Sequence, residues 1–317
     1  MLAKAQSQPA CLADITEARF HPDADRLRTE LNQYILDNWP FPNEKARQKF
    51  VKQDITGCTY HLYPEIPSER AFYAGMMIAM GFLNDDCLDD LSLEEGRAYL
   101  DRLPSIVRGQ TLPDRRIPRE YMFYDTFEGM RAINEKLANQ VVEAYIEFWS
   151  AQVNSTRLSN LGLKPYLELR RSDVGSNYAN STMAFGLDID LTPTELSRIT
   201  EIEKLQAYHL LVVNDYYSFE KELLDSQTKH EEGAKLFNVV AVLANEINVS
   251  YASSKAIIDV MLRKWEEECR VMVKAIEDRG ECTEAMAKYL RGKELMNLGN
   301  VVWSATTRRY VGFEKLL

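Results

Sequence analysis

The chain has 317 residues, 45% of them hydrophobic, enough to fill a sizeable core at a length above the usual single-domain range. Its 38 basic and 48 acidic residues give a net charge of −10, which argues against a nucleic-acid or anionic-membrane surface. No Gly/Ser- or Pro-rich linker, internal repeat or run of 18 apolar residues divides it. One domain over residues 1–317 is therefore expected, with residues 1–20 as a flexible N-terminus and no membrane insertion.

Helical periodicity dominates from the start. Met1 to Asp14 lacks an apolar leader-like run. Leu27, Leu31 and Ile35 then recur at four-residue spacing behind Asp23, a candidate N-cap. Ala74 to Leu83 reads as a buried helix that closes on Asn84-Asp85-Asp86-Cys87-Leu88-Asp89-Asp90. Residues four apart on a helix differ by about 40° in direction, so Asp85 stacks on Asp89 and Asp86 on Asp90. These carboxylates repel one another and oppose the helix macrodipole, so a cation is called for. Oxygen-only donors point to a hard ion such as Mg²⁺.

After a loop from Pro113 to Pro118, Met122 to Asn154 is expected to form one or two long helices, and further helical stretches start near Pro165, Thr192, Ala234, Ser250 and Thr283. Almost nothing alternates at period two, which makes the fold class all-α. Behind the apolar run Leu210 to Val213 comes a second polar cluster, in which Asn214, Ser218 and Glu222 fall at i, i+4 and i+8. A helix aligns their amide oxygen, hydroxyl and carboxylate along one face over about 12 Å, with Lys221 beside them. A single acidic string is compatible with a solvated helix, whereas two clusters with matched residue types are not readily explained that way. Cys11, Cys58, Cys87, Cys269 and Cys282 are scattered without a Cys-x-x-Cys pair, as in a cytoplasmic protein with reduced thiols. None of the four histidines is placed as a metal ligand, and His209 reads as a core or supporting residue.

With these motifs the chain resembles the class I terpene synthases, whose Asp-rich motif and Asn-Ser-Glu triad hold three Mg²⁺ ions on a prenyl diphosphate. The resemblance implies Asp85, Asp86, Asp89, Asn214, Ser218 and Glu222 as metal ligands, with Mn²⁺ as a substitute metal. Tyr166 to Gly175 is similar to the family's effector segment, with Arg170 as diphosphate sensor, Asp173 as linker and Val174 with Gly175 as helix break. Trp303 to Tyr310 is similar to its C-terminal segment, which gives Arg309 and Tyr310, beside Lys221, as diphosphate donors. The segments His21 to Ala24 and Trp39 to Arg47 look closest to fungal longiborneol- and brasilane-type cyclases.

The implied fold is a helical bundle with a deep central cavity, in which a linear prenyl diphosphate ionises and the resulting carbocation cyclises. Farnesyl diphosphate is expected as substrate. Gly75, Ala79 and Gly81 precede Asp85 where bulkier residues are expected and could enlarge the cavity, which keeps geranylgeranyl diphosphate close behind. Phe82, Phe148, Trp149 and Trp303 are candidates to line the cavity and stabilise cations, although a given aromatic on a helix is more often core. The competing readings are a chain-elongating prenyltransferase, which needs a second Asp-rich motif, and a non-catalytic prenyl-diphosphate binder. Assembly as a homodimer is left open.

Overall fold

The computed structural model describes residues 17–154, 161–229 and 235–313. Cys11 and most of the N-terminal segment expected to be flexible lie outside them. Among the described residues there are thirteen helices and no strand, the all-α architecture expected. In chain order they are α1 (Ala24–Asn38), α2 (Glu44–Lys52), α3 (Ile55–Leu62), α4 (Ser68–Leu88), α5 (Leu93–Leu100), α6 (Leu103–Val107), α7 (Pro118–Gln152), α8 (Leu163–Asp173), α9 (Ser176–Leu187), α10 (Pro193–Thr228), α11 (Val239–Ile247), α12 (Tyr251–Asp278) and α13 (Glu284–Thr306).

Local chemistry accounts for most of the boundaries. Thr192, Ser250 and Thr283 each accept a hydrogen bond from a backbone N–H in the first turn of α10, α12 and α13, and Thr192 forms a full capping box with Glu195. Asp23 precedes α1 but makes no capping bond; its carboxylate takes the Ser68 hydroxyl instead. The helix expected from Ala234, a residue outside the described ones, begins at Val239, where the Asn238 side chain caps Val240 N–H at 2.9 Å. The segment expected as one or two helices is α7, which is two helices fused at Asn134. There φ is −153° and ψ is 98°, and the Asn134 side chain restarts the helix by accepting from Leu137 N–H.

Two apolar clusters flank what becomes the site. The larger joins α1, α3, α4, α7, α9 and α13, and the smaller joins α8, α10, α11 and α12. From Ala74 to Leu83, α4 is buried on nearly every face, so it runs through the interior and delivers its acidic end at the mouth of the bundle. Facing it, α10 buries Gln206 to Val213 and brings its polar stripe to the same mouth. Between them α8 ends at Asp173 and α9 restarts at Ser176, across Val174 and the left-handed Gly175 with φ 78°. No described helix is long and apolar enough to cross a membrane.

Candidate active site

A cavity of about 140 Å³ opens between α4, the α8–α9 break, α10 and the residues after α13. Asp85 and Asp89 line it from one side; Asn214, Ser218, Lys221 and Glu222 line it from the other. The two motifs thus face a shared space, and Arg170, Asp173, Val174, Arg309 and Tyr310 border it as well.

On the α4 wall, carboxylate oxygens of Asp85, Asp86 and Asp89 lie within 4.8 Å of one another. The Arg309 guanidinium donates to both oxygens of Asp86 at 3.0 and 2.7 Å and reaches Asp85 at 3.5 Å. Burial pushes the Asp86 carboxyl up, but Arg309 outweighs it and holds the group down at about 2. Asp86 is therefore turned to Arg309 and is not among the residues lining the cavity. Asp85 accepts from the Gln152 amide at 2.7 Å. Asp89 is pushed well above the carboxylate range, first by burial and then by the Asp85 charge, with Lys221 at 3.7 Å as a partial offset. Asp90, stacked on Asp86 in the sequence reading, instead pairs with Lys229 at 2.8 Å on the surface.

On the α10 wall, the Ser218 hydroxyl donates to Glu222 at 2.5 Å, and the other Glu222 oxygen accepts from Asn238 at 3.1 Å. Asn214 donates its amide to the Tyr310 hydroxyl at 3.0 Å and accepts from Arg170 at 3.4 Å. These donors are all oxygen, with no thiol or imidazole among them, and the α4 carboxylates crowd together without enough positive charge to balance them. Both features fit a divalent cation of the hard type.

Arg170 is almost fully buried and is fixed from two sides. Its Nε and Nη2 donate to one oxygen of Asp215 at 3.0 and 2.9 Å, and Nη1 bonds to Asp173. The second Asp215 oxygen accepts from the Tyr166 hydroxyl and from Val239 N–H at 3.0 Å. Asp215 carries no site role in the sequence reading. Its one signal is position: it follows Asn214, which turns it about 100° from the Asn214 stripe and inward.

The aromatic candidates divide. Phe82 and Phe148 line the cavity, although the Arg309 guanidinium sits 4.9 Å from the Phe82 ring centre. Trp303, named as a substrate contact, is not among the lining residues: its ring backs Phe82 and Tyr310 at 5.3 and 5.7 Å, and its indole N–H donates to the Asp54 carbonyl at 3.1 Å. Trp149 lies in a core cluster with Phe123 and Tyr145. Tyr178 and Phe237, absent from the sequence reading, line the cavity instead. Two of the small residues of α4 open no free space: a Cβ on Gly75 would lie 2.4 Å from Leu31 of α1, and Ala79 is fully buried. Gly81 does line the cavity, beside the Tyr178 hydroxyl. His209 is buried and bonded to Glu266 at 2.9 Å, a hydrogen-bonded core position that does not line the cavity.

The arrangement has known counterparts. The family described as "Terpene synthase family 2, C-terminal metal binding" matches residues 76–268. Aristolochene synthase of Aspergillus terreus is 41% identical over 92% of this chain and 91% of its own length. The (+)-aristolochene synthase TS1 of Penicillium expansum is 38% identical over 94% and 90%. The crystal structure of aristolochene synthase from Penicillium roqueforti superposes with a TM-score of 0.81 at 35% identity, covering 92% of this chain and 97% of that one. These relatives bear a different product name from the subgroup suggested by the N-terminal segments. A cavity walled by two facing metal-type motifs, on a fold and sequence shared along nearly the whole chain, makes this protein a member of terpene synthase family 2, a class I terpene synthase.

Proposed function

We propose that the chain ionises farnesyl diphosphate in a Mg²⁺-dependent reaction and cyclises the resulting cation to a sesquiterpene. The observation that carries this reading is the convergence of Asp85 and Asp89 with Asn214, Ser218 and Glu222 on one cavity ringed by Arg170, Lys221, Arg309 and Tyr310. The relatives above are named for a sesquiterpene. The absorption of Gly75 and Ala79 into packing favours the shorter substrate over geranylgeranyl diphosphate.

Asp85 and Asp89 from α4, with Asn214, Ser218 and Glu222 from α10, would hold up to three Mg²⁺ ions, with Asp86 at the edge of the cluster. Divalent metal bound there supplies Lewis-acid neutralisation of the departing diphosphate. Arg170, Lys221, Arg309 and Tyr310 add N–H and O–H donors to phosphate oxygens, strongest where water is excluded. Arg309 exchanges its Asp86 contact for phosphate, so substrate binding frees a carboxylate as it recruits a cation. Phe82, Phe148, Val174 and Phe237 keep water from the carbocation and present ring faces to it. An Asn-Ser-Glu arrangement where a chain-elongating enzyme carries a second Asp-rich motif speaks against elongation.

Separate incubations with geranyl, farnesyl and geranylgeranyl diphosphates and Mg²⁺, analysed by gas chromatography with mass detection and by pyrophosphate release, test the reading. The expected result is a cyclic C15 product from farnesyl diphosphate. Absence of pyrophosphate release with all three refutes the proposal.

A further inference from the structure

Tyr178 occupies a place in the cavity that the diphosphate-binding groups leave unused. It lies in the first turn of α9, three residues after Gly175, and lines the cavity. Two glycines make room for it. A Cβ on Gly175 would lie 2.4 Å from the Tyr178 ring, and a Cβ on Gly81 would lie 2.8 Å from its hydroxyl oxygen. Any larger residue at either position collides with this one side chain.

Gly81 precedes Asp85 by four residues on the same face of α4, so the hydroxyl sits about one helical turn, roughly 5–6 Å, below the metal end. The ring is wedged edge-on against Tyr145 at 4.8 Å and lies tilted against Phe148 at 5.1 Å. Buried tyrosine hydroxyls normally find a hydrogen-bond partner. The Tyr178 hydroxyl makes no hydrogen bond to a described residue and is not one of the fully enclosed unpartnered polar atoms; in a residue only 6% exposed, it is left open to the cavity. Burial also pushes its pKa up, so the group is a neutral dipole.

We propose that Tyr178 is a specificity-determining residue of the cyclisation, its hydroxyl and ring setting the fold of the cationic chain just below the point where diphosphate leaves. This rests on the function proposed above. A neutral phenol oxygen attracts a carbocation through its lone pairs but is a weak base, so it guides the chain without removing a proton. Its ring face adds a cation–π contact from the same side.

The test compares Tyr178→Phe and Gly81→Ala with the wild type on farnesyl diphosphate and Mg²⁺, reading product composition per pyrophosphate released so that overall rate does not enter. Tyr63→Phe is the control. It removes a hydroxyl that donates to the Ala179 carbonyl of α9 at 3.0 Å but lies off this cavity. Both test variants are expected to change the ratio of main product to side products at least twofold in the same sense, with the control unchanged. Wild-type composition in Tyr178→Phe, or the same shift in Tyr63→Phe, overturns the assignment while leaving the cyclase reading intact. A wild type that releases no pyrophosphate overturns the cyclase reading and this assignment with it.

Discussion

Replacing Asp215 with Asn isolates the charge that holds the diphosphate sensor in place. Asp215 is fully buried and accepts four hydrogen bonds: two from Arg170 at 3.0 and 2.9 Å, one from Val239 N–H at 3.0 Å and one from Tyr166. Asparagine keeps one acceptor oxygen and turns its NH₂ toward either Arg170 or Val239, both of which can only donate. Removing one partner of a buried, hydrogen-bonded ion pair costs about 3–5 kcal/mol. Retention of Asp173 on the far side of Arg170 favours the lower end. For a 317-residue chain the entropy of unfolding is about 0.7 kcal/mol per kelvin, so the melting temperature should fall by about 4–7 °C. Circular dichroism at 222 nm measures this directly. Arg170 loses its fixed orientation as well, and kcat/KM for farnesyl diphosphate should fall about 100-fold, or about 2.7 kcal/mol of transition-state stabilisation. A melting temperature within 2 °C of wild type, with unchanged kcat/KM, would refute the view that Asp215 anchors Arg170.

Asn214→Ala or Glu222→Ala should lower pyrophosphate release by about 1,000-fold or more, while each shifts the melting temperature by only about 1–3 °C, the effect of one or two lost hydrogen bonds; near-wild-type turnover in either removes that residue from the metal wall. Chelation by EDTA should abolish turnover, and Mg²⁺ at about 100 times its Kd should restore it and add about 2.7 kcal/mol, or about 4 °C, by relieving the crowded carboxylates. A melting curve indifferent to Mg²⁺ contradicts this. Thr307 donates to the Gln53 carbonyl at 2.6 Å and accepts from Arg309 N–H at 3.1 Å, so Thr307→Val should raise KM about 10-fold through misplacement of Arg309, with Thr307→Ser near wild type; equal KM in both variants counts against that role. Lys293 is fully buried between Asn180 at 2.7 Å and Glu203 at 3.5 Å, and burial lowers its pKa below 10.5. In the window just below 10.5 the unfolded chain binds the extra proton, so the stability of the wild type relative to Lys293→Met should rise as pH increases toward 10.5. Denaturant midpoints of the two proteins at several alkaline pH values check the sign, and a falling difference rules it out.

Local pattern carried much of the architecture. The helix starts near Thr192, Ser250 and Thr283 and the apolar run into Asp85 are short-range chemistry, in which residues within one turn choose the backbone conformation; the Val174–Gly175 break was expected only from the resemblance to the terpene synthases. The spacing of Asn214, Ser218 and Glu222 was legible for the same reason: helix geometry places i, i+4 and i+8 on one face whatever surrounds it. The same sequence left Asp86 and Asp89 equivalent. In the fold they differ, because Arg309, more than 200 residues away in sequence, reaches Asp86 and leaves Asp89 facing the cavity.

Residue type and spacing determined the fold class, the family and the set of charged groups at the site, since those follow from periodicity and from motifs confined to single helices. Tertiary structure alone decided that Asp215 braces Arg170, that Trp303 stands behind Phe82, and that Gly75 and Gly81 accommodate Leu31 and Tyr178. Those contacts join helices far apart in the chain, and whether a small residue opens a cavity or admits a neighbour depends on which side chain packs across from it.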